Sequence, residues 1–503
     1  MSSSYLLPLV TLVTVWSFAF LLQSLRKKGK NGRLPPGPPG LPILGNLLML
    51  GELPYRCLHR LAKEYGSIMF LRLGFVPTVV VSSPLAAQEF LKTHDLVFAS
   101  RPFTQAAKYM SYDTRGLSFN PYGPYWRSVR KLCTLELLSS VKIDSFRPMR
   151  KREVGLFVQS LKDIADAGGV ADVSAKVSSL TTDMTCLMVF GNKYADKELD
   201  ERGFKAVIQE GMRLAAAFNI ADYIPFVGVF DLQGLTRRFK AFNQVMDVFF
   251  EKIIDEHMED KGRAQQRDFV DVLLCLMRSG DTEIKLERTH IKAIILDMLA
   301  GGMDTSSTAV EWAFSEIFRN PQVLNKVREE LDTIIGLDRM VEESDLPNLE
   351  YLDMALKESL RLHPVAPLLI PHAAMADCTV NGFQIPKNSR IIINTWAIGR
   401  DPSAWPNAEE YLPERFVGTN IDVKGRDFQL LPFGSGRRGC PGMQLGLSVT
   451  RLILARLLHC FDWELPDGTS PTELDMTEEF GLTVPRANHL LVRPTYRLRC
   501  DIQ

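Results

Sequence analysis

The sequence predicts an α+β protein, mainly α-helical with small β-sheets, carried behind an N-terminal transmembrane helix. Three observations point there. Tyr5 to Leu25 is almost wholly apolar and carries no charge. Most of the remaining chain alternates long patterns of helical period with short loops, clearest over Glu283 to Phe318 and Leu349 to Leu362. Strand-like stretches are few: Ile68 to Val81, Cys378 to Ile393 and the end of the chain.

The apolar run is about twenty residues, long enough to cross a bilayer as a helix. Arg26, Lys27, Lys28, Lys30 and Arg33 come directly after it. By the positive-inside rule that flank stays in the cytosol, and the body behind it faces the cytosol. A cleaved leader would carry its basic residues before the run and a small-residue site after it, and neither is present. Residues 1–34 are therefore read as anchor and flank. Pro35 to Gly40 suits neither a helix nor a central strand, because proline fixes φ and lacks a donor. It reads as a stiff hinge. No later linker or repeat stands out, so 41–503 is read as one domain.

The 503 residues are 46% hydrophobic and 23% charged, an ordinary globular composition with enough apolar mass for a large core. The formal net charge is zero, which leaves no electrostatic footprint for nucleic acid. The cysteines have no paired spacing and no C-x-x-C, which argues for a reducing compartment.

The densest chemistry lies in Pro432-Phe433-Gly434-Ser435-Gly436-Arg437-Arg438-Gly439-Cys440-Pro441-Gly442, followed by an apolar helical pattern from Met443 to Leu458. A cysteine at a helix N-terminus beside arginines has its thiolate favoured by the dipole and the cations. The thiolate is the form that binds metal. Two other readings exist. A free cysteine is often a small hydrophobe. Gly434 to Gly439 also spells G-x-G-x-x-G after the strand-like Phe428 to Phe433, with Asp462 further on. Against that nucleotide reading, Pro432 interrupts the strand, and roughly forty residues after Asp462 are too few for a doubly wound sheet.

Phe433, Gly436, Arg438, Cys440 and Gly442 match every defining position of a haem-binding signature, and here the chain resembles the cytochrome P450 superfamily. The resemblance runs from the anchor and Pro35–Gly40 to the last strands, and its look is that of a plant microsomal haem-thiolate monooxygenase. It implies the cytochrome P450 fold, haem b with an axial thiolate from Cys440, and an endoplasmic reticulum membrane location. It implies O2 as co-substrate and electrons from NADPH through NADPH–cytochrome reductase, since the chain has no flavin-binding segment of its own. The expected reaction is hydroxylation of a small apolar plant metabolite such as a terpenoid, a phenylpropanoid or another aromatic.

Other positions extend the picture. Ala300-Gly301-Gly302-Met303-Asp304-Thr305 interrupts an apolar helical run. Two adjacent glycines cost roughly 1 kcal/mol each in a helix and let another group approach the backbone. Thr305 can bond back to a carbonyl one turn earlier. The residues alone also fit a helix end with a capped second helix. The match to the family's oxygen-activation motif implies instead room for dioxygen at Gly301 and Gly302 and a proton route through Asp304 and Thr305.

Glu358 and Arg361 lie three apart among apolar neighbours, a spacing that suits an ion pair. A buried pair needs a further partner. Arg415, in Pro413-Glu414-Arg415-Phe416, matches the family's third member, and the triad is expected to hold the cysteine loop. Trp126 and Arg130 lie one turn apart, which sets an indole N–H beside a guanidinium. With Arg127 and Lys131 nearby this also fits a plain basic face. Beside Cys440 the pair suits a haem propionate, with Arg438 as second partner. His372 stands where many relatives carry arginine and is expected to touch a propionate as neutral imidazole.

By the same resemblance the substrate pocket is lined around Phe103 to Leu117, near Phe218, by Ile294, Ala300 and Gly301, by Val365 and Leu369, and by Phe480 and Leu482. Plain core packing would look identical in sequence. Arg127, Arg130, Lys131 and Arg437 are the expected reductase-docking cations. Two rivals stand beside the monooxygenase. A peroxide-rearranging relative tends to lack the acid–alcohol pair that Asp304-Thr305 supplies. A haem sensor using Cys440-Pro441 leaves Thr305, the Glu358 set and Trp126/Arg130 unexplained.

Overall fold

The computed structural model describes Thr14 and residues 33–194, 203–259 and 268–500. Apart from Thr14, the expected transmembrane run lies outside the described residues. Among the described residues no helix is long and apolar enough to cross a membrane.

The strands are β1 (Ile68–Leu73), β2 (Val76–Val81), β3 (Ala171–Asp172), β4 (His372–Ala373), β5 (Cys378–Val380), β6 (Phe383–Ile385), β7 (Arg390–Ile393), β8 (Phe461–Glu464) and β9 (Leu491–Tyr496). They form sheets of order β1-β2-β7-β4, β3-β9-β8 and β5-β6. β1 and β2 are an antiparallel hairpin, and β2 runs parallel to β7 with Val79 beside Ile391. Val79, Val81, Ile391 and Ile393 face one core cluster, while Met69, Leu71, Val80 and Ile392 face another. Covered on both faces, β2 ends in three consecutive buried valines, Val79 to Val81. Gly74 turns the hairpin at φ 61°, and a Cβ there would meet the Tyr223 carbonyl at 2.5 Å.

The helices that position the site are α1 (Pro124–Leu132), α2 (Val173–Phe190), α3 (Phe204–Ala216), α4 (Arg288–Arg319), α5 (Glu350–Leu362) and α6 (Met443–Cys460). α4 begins at a capping box between Glu287 and His290 and runs unbroken through Gly301-Gly302, so no helix ends there. From Ser306 to Phe318 every residue is buried, as befits a helix wrapped by others. α2 and α6 pack against it.

The strand-like Phe428 to Phe433 is irregular. Phe428 and Leu431 pack under the first sheet, Leu430 enters the largest core, and Pro432 offers no donor. Gly436–Arg438 is a single 3-10 turn. The G-x-G-x-x-G stretch therefore lacks the strand that a nucleotide loop requires, and α6 begins only at Met443, beyond its last glycine. Pro35 and Pro38 are buried on the globule: the Phe70 N–H donates to the Pro36 carbonyl at 2.8 Å, and a Cβ on Gly37 would lie 1.9 Å from the Phe70 carbonyl. All eight cysteines are unpaired.

Candidate active site

Cys440 sits two residues before Gly442, the N-cap of α6, and its backbone N–H donates to the Phe433 carbonyl at 2.9 Å. Its side chain is accessible, yet burial pushes its thiol pKa up. These two facts agree for a thiol that lines an internal cavity. The Gly442 N–H and Arg130 act in the opposite direction, but burial outweighs them. The metal-free thiol is thus less ready to ionise than dipole and cations alone suggest, and a haem iron bound here would favour the thiolate. Gly436 (φ 66°) backs onto another element. A Cβ there would meet the Leu91 carbonyl at 2.6 Å and Asp95 Oδ1 at 2.8 Å. Phe433 closes on α6, where a Cβ at Gly446 would lie 3.9 Å from its ring.

Beside the thiol lies a group of cations. Arg438 donates from Nε to the Ala99 carbonyl and from Nη2 to the Asn120 carbonyl, both at 2.6 Å, and lies 4.0 Å over the Trp126 ring. Arg101 donates to the carbonyls of Ser118 (3.1 Å), Ile370 (2.5 Å) and Pro371 (3.0 Å). Burial lowers the pKa of Arg130, lowers that of Arg101 well below the usual arginine range, with Arg438 adding to the effect there, and pushes Arg438 down to about 9, with Arg130 adding. None of the three makes an ion pair among the described residues. The Trp126 indole N–H is held by the Leu117 carbonyl at 3.0 Å, so it supports the loop rather than pointing at a ligand. Leu117 and Ser118 in turn donate their backbone N–H groups to Asp297 on α4. His372 Nδ1 lies 2.9 Å from the Phe98 carbonyl, which only accepts, so the proton sits on Nδ1 and Nε2 is an acceptor. Burial, with Arg101 next, pushes its pKa down to about 3.

Arg101 and Asp297 carry no spacing signal, and two of the three carbonyls Arg101 binds, those of Ile370 and Pro371, are about 270 positions away in sequence. The only hint is a lone arginine ending the apolar Leu96 to Ala99 stretch before Pro102. Buried cations without anions want a negatively charged partner. Haem brings two carboxylates and an iron that takes one thiolate, so this donor set fits it.

On α4, a Cβ added at Gly301 would meet nothing within 4 Å, whereas one at Gly302 would lie 3.0 Å from Thr185 of α2. Gly301 opens space and Gly302 permits close helix packing. Thr305 Oγ1 donates to the Gly301 carbonyl at 2.6 Å. Asp304 accepts from the Thr483 hydroxyl.

Glu358 is 0% exposed and takes both Nε and Nη2 of Arg361 at 2.7 Å. It also accepts Arg415 Nε at 2.8 Å and the Leu412 N–H at 2.9 Å. The arginines' other N–H groups go to carbonyls of Gly399, Pro406, Ala408 and Glu410. The set binds the 399–415 segment directly. It reaches the cysteine loop through the core of Trp405, Phe416, Leu430 and Phe433.

A largely apolar cavity of about 520 Å³ is walled by residues including Leu44, Leu47, Leu50, Phe218 and Phe480. Phe480 also borders a polar cavity of about 190 Å³ that Asp304 and Leu482 line. The Val365 carbonyl accepts from Val484, and Leu369 takes a left-handed φ of 51° with its side chain toward Gly434. Ala300 is half-buried, and Ile294 is fully buried in the core of α4. Lys131 and Arg437 are paired with Glu283 and Asp95, and Arg127 is exposed.

The family model for cytochrome P450 matches residues 35–491. Cytochrome P450 CYP736A12 from Panax ginseng is 55% identical over 476 residues, 93% of this chain and 94% of that protein. A flavonoid 3'-monooxygenase from Crocosmia x crocosmiiflora is 41% identical, covering 97% and 99% of the two chains. A zebrafish cytochrome P450 solved with abiraterone superposes with a TM-score of 0.73 at 27% identity, covering 88% of this chain and 100% of that one. With a matching family model, close plant relatives and the same architecture, the chain belongs to the cytochrome P450 family of haem-thiolate monooxygenases.

Proposed function

We propose that the protein hydroxylates a small apolar plant metabolite, with Cys440 as iron ligand and electrons from NADPH–cytochrome reductase. The observation that carries this reading is the Cys440 thiol beside three guanidinium groups, Arg101 buried and Arg130 and Arg438 half-buried, that make no ion pair among the described residues. When bound, haem supplies dioxygen activation, and its thiolate ligand favours O–O cleavage. The chain's own residues do the rest. Arg101, Arg130 and Arg438 hold the propionates, and Glu358, Arg361 and Arg415 keep the 399–415 segment in register beneath the loop. Gly301 leaves open space on α4 where a bound haem would need room for dioxygen. Thr305 presents its hydroxyl there, and Asp304 holds a proton at its carboxyl oxygen for transfer inward.

The 520 Å³ cavity would admit the substrate past Phe480, and Leu482, Val365, Leu369 and Ala300, outside that cavity's wall, would orient it further in. Few polar groups in the mouth favour recognition by shape. The flavonoid-oxidising relative makes a small aromatic the first class to test. Residues 1–34 would anchor the chain in the endoplasmic reticulum membrane, Pro35–Gly40 would set the stiff link, and 41–503 would face the cytosol. Of the expected docking cations Arg130 is taken up beside the thiol, and Arg127, Lys131 and Arg437 would meet the reductase; two of these three already hold acidic neighbours, so added salt should weaken docking only modestly.

The test is turnover with NADPH and reductase over a panel of flavonoids, phenylpropanoids and terpenoids, with Thr305→Ala alongside. Product that gains one oxygen, and a lower product-to-NADPH ratio in Thr305→Ala, is the expected result. A normal haem spectrum without any turnover across the panel favours the sensor reading.

A further inference from the structure

Beside Asp304 lies the polar cavity of about 190 Å³ between α2, α3, α4 and the turn from Glu479 to His489. A buried carboxyl on its wall is Glu311, two turns beyond Asp304 on α4 and 6% exposed. Its Oε1 takes the Ser174 hydroxyl, which itself accepts the Leu490 N–H at 2.8 Å. Its Oε2 takes the Arg486 N–H at 3.3 Å. Nothing in the chemistry above uses this carboxyl. A buried carboxylate is costly to keep on a helix unless it is paired, and Glu311 makes no ion pair among the described residues. The other ionisable groups on the cavity wall are Asp304, Glu479, Arg213, Arg486 and His489, the last exposed and bonded to Asp172 at 2.7 Å. Ser174, Ser178, Ser307, Thr308 and Thr483 add hydroxyls. A cavity of this size and polarity has room and partners for several waters.

We infer that Glu311 is a proton donor to Asp304 across this cavity, so that the cavity is the proton inlet of the enzyme. The inference rests on the proposed role of Asp304. The proton leaves the Glu311 carboxyl, crosses on water to an Asp304 oxygen, and Glu311 takes another from bulk water at the His489 rim. Each passage carries one proton and no electron, and two passages supply the two protons consumed when one oxygen atom of O2 leaves as water. Burial raises the Glu311 pKa, which favours the protonated form a donor needs. Phe480 and Gly481 lie between this inlet and the apolar mouth, so substrate and protons enter by separate doors.

The test compares wild type, Asp304→Asn, Glu311→Gln, Glu311→Asp and Ser178→Leu as full-chain holoenzymes with reductase. Ser178→Leu fills the cavity from α2 without removing Glu311. The readouts are peroxide released per NADPH, the solvent isotope effect, and the infrared band of a protonated carboxyl in D2O exchange. Glu311→Gln and Ser178→Leu should raise peroxide several-fold and enlarge the isotope effect with a normal carbon-monoxide spectrum. Glu311→Asp should recover much of the coupling, and Glu311→Gln should lose the infrared band. If Asp304→Asn uncouples while Glu311→Gln and Ser178→Leu stay coupled and keep the band, the inlet is wrong and the reading of Asp304 stands. If Asp304→Asn is itself fully coupled, the reading of Asp304 fails and takes the inlet with it. Should Glu311→Gln not retain haem, Ser178→Leu decides alone.

Discussion

Two clusters of buried arginine lie in this molecule and are finished in opposite ways. Around Glu358, two guanidinium groups share one carboxylate, and the remaining N–H groups are matched to carbonyls. Around the half-buried Arg438, Arg438 and Arg101 meet carbonyls and an indole ring, and neither they nor Arg130 meets an acid among the described residues. The first cluster is complete in the chain itself. The second is short of negative charge, and that deficit is the mark of a site built for an anion the chain does not encode. Buried arginine alone therefore says little; what decides its meaning is whether the counter-charge is protein.

The comparison is broken most severely at Glu358. Glu358→Ala leaves two buried cations without an anion, a change of about 3–5 kcal/mol. It should cost folded holoprotein outright, read by haem content and thermal unfolding; full haem content would contradict it. Arg101→Leu acts on the other cluster. Here a charged contact to the cofactor is lost, about 1.5–3 kcal/mol, so haem should transfer to an acceptor globin roughly tenfold to hundredfold faster. Stripped of haem, the same variant should unfold no earlier than wild type, because it sheds an uncompensated charge. An earlier unfolding of stripped Arg101→Leu would mean the cluster is structural like the first.

Trp126→Phe keeps a ring under Arg438 and removes one N–H from the Leu117 carbonyl. About 1 kcal/mol of stability should be lost, with the haem-transfer rate little changed. The smallest effect concerns acid. His372 is held neutral, with its folded pKa near 3 below the ordinary 6.5. The unfolded chain then binds the extra proton first, so His372 favours folding fully above about pH 6.5, and that contribution is lost as pH falls toward 3. Urea unfolding of haem-stripped His372→Phe should have a flatter acid limb than wild type; identical limbs would contradict this.

Much of this was legible in sequence because the signals are local. The hairpin at β1 and β2, the run of α4, and the extent of α5 and α6 follow from period and from turn residues. The Glu358–Arg361 pair is readable from helix spacing, since three residues on a helix share a face. What failed was whatever depends on distant chain. Trp126 has the expected spacing from Arg130, yet its N–H goes to Leu117, nine residues back across a loop. Arg101 and Asp297 answer to partners far away in sequence, and no local pattern marks them. Gly301 and Gly302 look alike in sequence but divide the work, one opening space and the other fitting α2, and only the neighbouring helix distinguishes them. The strand-like Phe428 to Phe433 failed for a related reason: its apolar residues serve two cores, which mimics alternation without a ladder.

The most direct test of the central claim is the reduced, carbon-monoxide-bound absorption spectrum of the full chain in membranes, with Cys440→Ser beside it. A long-wavelength Soret band in wild type that is absent in Cys440→Ser is the result expected of a thiolate ligand. The same band in both proteins, or well-folded wild type without a haem signal, would contradict the account.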